Sequence, residues 1–106
     1  MKEFVYHNAV CTNVVDGDTL DVSIDVGFDF QTSQRLRLYG FNTPERNEPG
    51  YLEAKQFVLD TCYLKPVQIT TYKKDSFGRW ISIVYVDGQN LNEWLLSEGL
   101  AEVYKY

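Results

Sequence analysis

The stretch Arg35-Leu36-Arg37-Leu38-Tyr39-Gly40-Phe41-Asn42-Thr43-Pro44-Glu45 begins as a strand and ends as a loop. Leu36 and Leu38 alternate with two arginines, so the arginines are expected on the opposite face of the strand. Gly40 weakens the strand and Pro44 ends it. An amide, a hydroxyl and a carboxylate then follow a cationic face within a few residues. This mixture of groups suits a site that handles both a metal ion and a phosphate.

A long alternating run precedes this stretch. Within Thr19–Phe30 the even-numbered positions are apolar, while the odd-numbered positions are polar or glycine. The pattern predicts one long, half-buried antiparallel strand. Residues 31–34 are polar and predict a connection to a second strand over residues 35–41. The two strands would form a hairpin that brings Asp18, just before the first strand, towards Asn42 at the far end of the second.

The remaining segments complete a β-rich plan of strands, turns and two helices. In chain order they are a strand over residues 4–15, a turn at 16–18, a helix over 51–64, a strand over 67–72, a loop over 73–79, a strand over 80–86, and a short helix capped by Asn90 and ending near Gly99. This order predicts a mainly β, α+β fold: a five-stranded Greek-key barrel of the OB type with two short helices. An α+β sandwich of the same elements is the alternative. A single domain over residues 1–106 is expected from the length.

The overall charge limits the kind of nucleic-acid contact that is expected. The formal net charge is −5 and the sequence pI is about 4.7. Proteins that hold nucleic acid by electrostatics alone are usually basic, so tight non-specific DNA binding is not expected. A transient contact through a local basic patch and a metal ion is compatible with this charge.

Cysteine usage and hydropathy indicate the surroundings of the chain. Cys11 and Cys62 form no CxxC pair, so two free buried thiols are expected, with a disulfide as the less favoured alternative. The first residues contain no apolar segment typical of a signal peptide, and no run is long enough to span a membrane. The prediction is an intracellular, cytoplasmic monomer without a membrane partner, unless an upstream segment was removed.

Two segments have both a structural and a functional interpretation. Asp18 is either a turn acceptor or a metal ligand, and its immediate sequence context favours the turn. The segment Lys73-Lys74-Asp75-Ser76-Phe77-Gly78-Arg79 is either a solvated hairpin turn or a basic loop that meets a phosphate and a base. Local sequence alone does not decide between these interpretations.

Taken together, three segments resemble the active-site segments of the staphylococcal nuclease (thermonuclease) family. They are Val15-Asp16-Gly17-Asp18-Thr19, Arg37 to Glu45, and Asp75-Ser76-Phe77-Gly78-Arg79. Leu91-Asn92-Glu93 and Gly99-Leu100-Ala101 are similar to the second-helix region of the family. The resemblance covers roughly residues 11–103. It implies an OB-fold barrel and an endo- or exonuclease that uses Ca²⁺, or another divalent cation, to hydrolyse phosphodiester bonds of DNA and RNA.

The resemblance assigns metal ligands to the first two segments. Asp18 matches a calcium-binding aspartate, and Thr43 matches a residue whose backbone carbonyl is a ligand. Asn42 stands where the family has a second aspartate, so it offers an amide oxygen but no charge. Oxygen ligands of this kind are those that Ca²⁺ prefers. Asp16 and Thr19, which flank the metal-binding turn, are expected to support the site.

Catalytic roles fall on two arginines and one glutamate. Arg37 and Arg79 match the arginines that contact the scissile phosphate, where guanidinium groups stabilise developing charge. Glu45 matches the carboxylate associated with the attacking water, which it would orient or deprotonate.

The nucleotide-binding residues fit the family pattern less closely. Lys73, Lys74 and Phe77 are candidates on the basic loop, although Ser76-Phe77 replaces a Lys-Tyr pair that helps hold a terminal phosphate in the family. Tyr104 and Tyr106 are candidate nucleotide contacts near the C-terminus, one residue out of register in a gapless alignment.

Three functional hypotheses follow from these residues. The favoured one is a metal-dependent nuclease acting on DNA or RNA, because a mere binding module has no need of a carboxylate beside two arginines. The alternative is an OB-fold module, weak or inactive in catalysis, that binds nucleic acid or a protein partner. A purely structural role, with both arginines in ion pairs, explains the joint pattern poorly.

Overall fold

In the computed structural model, which describes residues 2–105, five strands close into a barrel. The elements are β1 (Phe4–Asp16), β2 (Thr19–Gly27), β3 (Phe30–Leu38), β4 (Phe41–Asn42), α1 (Tyr51–Cys62), β5 (Pro66–Lys74), β6 (Trp80–Val86), β7 (Gln89–Asn90), α2 (Leu91–Ser97) and β8 (Glu102–Val103). The sheet order is β3-β2-β1-β5-β6-β7, and a parallel pairing of β3 with β6 closes it. This closed mainly β barrel with two helices confirms the predicted OB-type fold.

Strand alternation separates an apolar interior from a polar outer face. Leu20, Leu36 and Leu38 are fully buried in the barrel core, together with side chains of α1 and α2. Successive side chains of a strand point to opposite faces. Thr19 and Arg37, which are directly paired across β2 and β3, therefore lie on the outer face of the barrel.

The predicted strand Thr19–Phe30 and the predicted connection at residues 31–34 are wrong in their bounds. The chain turns at Phe28 and Asp29, whose φ angles are 56° and 61°, and Gly27 pairs with Phe30. Residues 31–34 then pair with residues 25–22 as part of β3. The hairpin extends beyond the barrel core, so Phe28 is 94% exposed and Phe30 is 68% exposed. Apolar alternation therefore does not mark burial at this tip.

Both helices begin where the sequence indicates. The helix α1 starts at Tyr51 after Gly50 and ends at Cys62, two residues earlier than predicted. The side chain of Asn90 accepts a hydrogen bond from the N–H of Glu93, which caps α2. Gly99 follows α2 with a φ of 72°, the left-handed conformation expected of a residue at that position.

A buried asparagine was not foreseen from the sequence. Asn92 is 1% exposed, and its Oδ1 accepts from the N–H of Val84 at 3.2 Å. Its Nδ2 donates to the carbonyls of Tyr39 and Ser82 at 2.9 and 3.1 Å. One side chain thus ties α2 to β6 and to the end of β3.

Cys11 and Cys62 are free and buried, which confirms the favoured expectation for the two thiols. Within residues 2–105, neither α1 nor α2 is long and apolar enough to cross a membrane.

Candidate active site

Four segments distant in sequence line one open pocket of about 710 Å³. They are the β1–β2 turn, the end of β3 with the loop after β4, the loop between β5 and β6, and Tyr104 after β8. The charged groups of the lining are four carboxylates and three guanidinium groups: Asp16, Asp18, Glu45, Asp75, Arg37, Arg46 and Arg79. This mixture offers counter-charges to a cation and to a phosphate in the same pocket.

The turn that carries Asp18 is clamped from beneath. A Cβ atom at Gly17 would lie 2.8 Å from the Cβ of Ala54 and 2.9 Å from Oγ1 of Thr43, so only glycine fits there. The Oδ2 atom of Asp18 accepts from the N–H of Thr43 at 3.1 Å, and its Oδ1 accepts from the hydroxyl of Thr19 at 3.1 Å. The buried carboxylate thus links the turn to the loop after β4, and each of its oxygens accepts one hydrogen bond from the chain.

A tyrosine of α1 holds the other carboxylate of this turn. The hydroxyl of Tyr51 donates to Oδ1 of Asp16 at 2.7 Å, and it also lies 3.3 Å from the carbonyl of Val15. The hydrogen bond to Asp16 and the burial of the ring raise the pKa of Tyr51. Sequence reasoning missed Tyr51, because nothing local to the helix shows that its first residue faces a turn 35 residues upstream.

Arg37 is buried and tied closely to the chain. Its Nη1 donates to the carbonyls of Leu38 and Phe41 at 2.9 and 2.7 Å, and its Nη2 donates to Oδ1 of Asn42 at 2.9 Å. Nη1 also lies 3.7 Å from Oδ2 of Asp18, and the guanidinium carbon lies 5.7 Å from the ring centre of Tyr104. The arginine thus joins the two segments that were expected to hold a metal ion.

The pocket offers oxygen ligands of the types that a hard divalent cation binds. Asp18, Asn42 and Thr43 all line it, and they offer a carboxylate, an amide carbonyl and a backbone carbonyl oxygen. No group of three or more His, Cys, Asp or Glu side chains within residues 2–105 is arranged to hold a metal.

Arg79 is oriented by a carboxylate of its own loop. Its Nε donates to Oδ2 of Asp75 at 2.8 Å, and Oδ1 of Asp75 accepts from the N–H groups of Phe77 and Arg79, both at 2.9 Å. Burial acts to raise the pKa of Asp75, but these hydrogen bonds and the guanidinium hold the pKa below its ordinary value. Asp75 was noted in sequence only as part of a motif, and the structure shows that it organises the loop.

The opposite edge of Arg79 faces the first segment. Its Nη1 lies 3.4 Å from the hydroxyl of Thr19, and its guanidinium carbon lies 5.2 Å from the ring centre of Phe77. Phe77 is 81% exposed at the pocket mouth. A phosphate entering the pocket would meet a guanidinium that Asp75 holds on one edge, that contacts Thr19 on the other, and whose side chain is a quarter exposed.

Glu45 lies on the exposed loop after β4, and its side chain lines the pocket. Its N–H donates to Oε1 of Glu48 at 2.6 Å, which shapes the loop that leads into α1. Within the part of the chain that the structure describes, the carboxylate of Glu45 forms no ion pair.

The expected nucleotide contacts are separated by the structure. Phe77 and Tyr104 line the pocket. Lys73 and Lys74 end β5 outside the pocket lining, with the Lys74 ammonium 5.8 Å from the ring centre of Trp80. Tyr106 lies outside the described residues.

The fold and the pocket define the class of the protein. It is an OB-fold domain whose pocket contains both acidic and basic side chains. A family model described as staphylococcal nuclease homologue matches residues 35–106, more than half of the chain. The chain therefore belongs to the staphylococcal nuclease family, as the resemblance predicted.

Relatives named as nucleases align with most of this chain. It is 29% identical over 102 residues to the micrococcal nuclease of Shigella flexneri, which covers 88% of this chain and 56% of that protein. It is 30% identical over 93 residues to an uncharacterized endonuclease of Escherichia coli O157:H7, with 87% and 58% covered. The staphylococcal-like nuclease CAN1 of Arabidopsis thaliana is 33% identical over 70 residues, 66% of this chain and 22% of that protein. The chain spans little more than half the length of the two bacterial relatives.

Proposed function

We propose that this chain is a metal-dependent nuclease that hydrolyses phosphodiester bonds of DNA, RNA or both. The observation that carries the proposal is the convergence of Asp18, Arg37, Glu45 and Arg79 on one open pocket from three separate segments. An oxygen-rich cation site beside two guanidinium groups matches the charges of a phosphodiester that is attacked by water. The nuclease and endonuclease names of the relatives support the same class of reaction.

The cation, Ca²⁺ or another divalent ion, would be held by Asp18, the amide oxygen of Asn42 and the backbone carbonyl of Thr43. When bound, it would neutralise phosphate charge and favour ionisation of a nearby water. Thr19 fixes one carboxylate oxygen of Asp18, and the N–H of Thr43 fixes the other. These two hydrogen bonds fix the orientation of the buried Asp18 carboxylate in the pocket.

The two arginines would bind the phosphate from different sides. Arg37 is held by backbone carbonyls and by Asn42, so its position is set before the substrate arrives. Arg79 would keep one edge of its guanidinium on Asp75 and would exchange its long 3.4 Å hydrogen bond to Thr19 for one to a phosphate oxygen. Both would stabilise the negative charge that grows on the phosphorus oxygens in the transition state.

Glu45 would accept a proton from the attacking water or orient that water by a hydrogen bond. Its carboxylate lines the pocket and has no cationic partner in residues 2–105, so it is not committed to an ion pair. A general base of this kind contributes through its position and its free lone pairs.

The direct test is hydrolysis of heat-denatured DNA and of RNA in the presence of Ca²⁺, Mg²⁺ or EDTA. We expect cleavage with a divalent cation and none in EDTA. Glu45→Gln and Arg79→Ala serve as matched variants, since loss of activity in both separates true turnover from a contaminating nuclease. If no cation supports cleavage at high enzyme concentration, the nuclease assignment is wrong.

One observation favours a second candidate, an OB-fold module that binds nucleic acid without cleaving it. Asn42 brings no charge to the cation site, and its Oδ1 is already the acceptor of a hydrogen bond from Arg37. In that case the arginines and exposed aromatic rings would bind a strand, and Ca²⁺ would change neither binding nor strand length. The cleavage assay above, combined with a binding assay, distinguishes the two candidates.

A further inference from the structure

Two tyrosines extend the outer face of the barrel beyond the pocket. Tyr39 follows Arg37 by two residues, and because Leu36 and Leu38 point into the core, both Arg37 and Tyr39 point outwards. Tyr72 of β5 packs against Tyr39 with ring centroids 5.2 Å apart and ring planes at 45°. We name this pair, Tyr39 and Tyr72, the tyrosine platform.

The backbone of β3 and β6 places the tyrosine platform near Arg37, a residue that lines the pocket. Arg37 is directly paired with Ile81 across β3 and β6, and the N–H of Tyr39 donates to the carbonyl of Ser82 at 2.8 Å. Ile81 is only 2% exposed although it alternates with the core residues of β6 and lies on the outer face. Arg37 therefore has a buried apolar residue as its neighbour on this face.

Tyr104 contacts both the backbone next to Tyr39 and the side chain of Arg37. Its N–H donates to the carbonyl of Gly40 at 2.8 Å, the residue after Tyr39, and its ring lies over the guanidinium of Arg37. Tyr104 also lines the pocket. An aromatic residue of the pocket lining is thus anchored to the backbone next to Tyr39.

Charges of both signs lie beside the tyrosine platform: Glu3 is near Tyr72, and two lysines follow Tyr72 in the chain. Lys73 and Lys74 follow Tyr72 directly at the end of β5 and are exposed. Burial, and after it the nearby carboxylate of Glu3, raises the pKa of Tyr72 above its ordinary value. An aromatic pair with lysines at its edge matches the alternation of base and phosphate along a polynucleotide.

We infer that Tyr39 and Tyr72 stack on a base of a single-stranded polynucleotide whose phosphate lies between Arg37 and Arg79. The inference rests on the proposed function and adds a second contact, one or more nucleotides away from the reacting phosphate. Bases offer their faces to such rings only when they are unpaired. The platform therefore favours single strands over duplexes, and strands longer than a dinucleotide, without reading sequence.

The experiment measures binding of fluorescein-labelled thymidine strands in EDTA, where cleavage is not expected. We expect the wild type to bind a ten-nucleotide strand more tightly than a dinucleotide or a ten-base-pair duplex. Tyr39→Ala and Tyr72→Ala are each expected to weaken binding of the ten-nucleotide strand about tenfold and to leave the dinucleotide unchanged. Tyr39→Trp retains a stacking face and is expected to bind at least as tightly as the wild type.

Tyr63→Ala is the matched control, because Tyr63 is 42% exposed, close to the 37% of Tyr39, but lies at the end of α1 outside the pocket and the platform. Equal affinity of wild type, Tyr39→Ala and Tyr72→Ala for the ten-nucleotide strand would overturn the inference. So would tighter binding of the duplex, or loss of affinity in Tyr63→Ala of the same size. Melting curves of each variant show whether a loss is due to unfolding, and Tyr39→Trp decides the matter if the alanine variants are unstable.

The inference and the proposed function fail in different ways. A wild type that cleaves with a divalent cation, while the platform variants keep the same KM for long strands, leaves the nuclease and removes the platform. A wild type that never cleaves, but loses strand binding on Tyr39→Ala, removes the nuclease and keeps the platform.

Discussion

The two arginines of the pocket are held in opposite ways. Arg37 is a strand residue with only 6% of its surface exposed, and it donates to the carbonyls of Leu38 and Phe41 and to Asn42. Arg79 belongs to a loop, and a quarter of its side chain is exposed. The sole ion-pair partner of Arg79 within residues 2–105 is Asp75, four residues before it.

This difference separates a fixed half of the site from an adaptable half. The fixed half, around Arg37, Asp18 and Gly17, is closed by packing against α1 and by buried hydrogen bonds, so small changes of volume are expected to disturb it. The loop of Arg79 is held mostly by its own hydrogen bonds, and such segments open at low free-energy cost. We therefore expect the loop of Arg79 to be most sensitive to substitutions that change charge. The fixed half should be most sensitive to substitutions that change side-chain volume.

The largest effect is expected when the adaptable arginine is removed. Arg79→Ala should lower kcat by about 10²–10³-fold, about 3–4 kcal/mol, and change KM much less, because its guanidinium acts mainly on transition-state charge. Steady-state cleavage of denatured DNA with Ca²⁺ measures both constants. Arg35→Ala is the matched control, since Arg35 pairs with Asp21 away from the pocket. Equal losses in kcat and in affinity would show that the loop only docks the substrate.

The fixed half is best probed by adding one methyl group. Gly17→Ala places a Cβ within 3 Å of Ala54 and Thr43, so the free energy of unfolding should fall by about 1–3 kcal/mol. Urea unfolding followed by tryptophan fluorescence measures this change.

A compensating change distinguishes crowding from other causes. In an Ala54→Gly background the atom nearest to the new Cβ is absent, so Gly17→Ala should cost less there than in the wild type. If the cost is the same in both backgrounds, the clash with α1 is not what fixes this turn.

A charge added beside Arg37 tests whether the fixed half holds a cation. Asn42→Asp keeps an acceptor for the 2.9 Å hydrogen bond of Arg37 and places a second carboxylate in the pocket. We expect Ca²⁺ to bind about tenfold more tightly, about 1.4 kcal/mol, because much of the gross attraction is offset by desolvation. Isothermal titration calorimetry gives the affinity. Asn47→Asp adds the same charge outside this pocket, and equal gains in both variants would remove Asn42 from the cation site.

The barrel could be predicted from sequence where burial follows alternation. Strand β6 and the start of α1 came out as observed, because β6 is a short apolar run closed by the Asp87-Gly88 turn and α1 follows Pro49-Gly50. The tip of the β2–β3 hairpin did not, because Phe28 continues the apolar alternation although it is exposed, and it adopts a positive φ that its residue type rarely shows. The alternation of apolar residues alone therefore does not locate a turn that lies outside the core.

The candidate site could be predicted only as separate segments. Asp18 and Arg79 were named from motifs, and the closeness of Asp18 to the loop of Thr43 followed from the hairpin plan. The buttress from Tyr51 and the organising role of Asp75 could not be seen, because each depends on a side-chain direction fixed by tertiary packing. Sequence reasoning therefore found the groups that would touch a substrate and missed those that hold them.

The smallest effect should come from the charge that organises the adaptable loop. Because the pKa of Asp75 is lower in the folded state than the ordinary value of about 3.9, its charge stabilises the fold fully above about pH 4. That contribution is lost as the pH falls through the folded-state pKa. Asp75→Asn should therefore cost less than about 1 kcal/mol at pH 7, since the pair with Arg79 is partly exposed, and progressively less as the pH falls below the ordinary value. Urea unfolding at a series of pH values measures the difference, with Asp29→Asn at the exposed hairpin tip as the control. A cost that stays constant down to pH 2 would mean that Asp75 acts through loop shape and not through its charge.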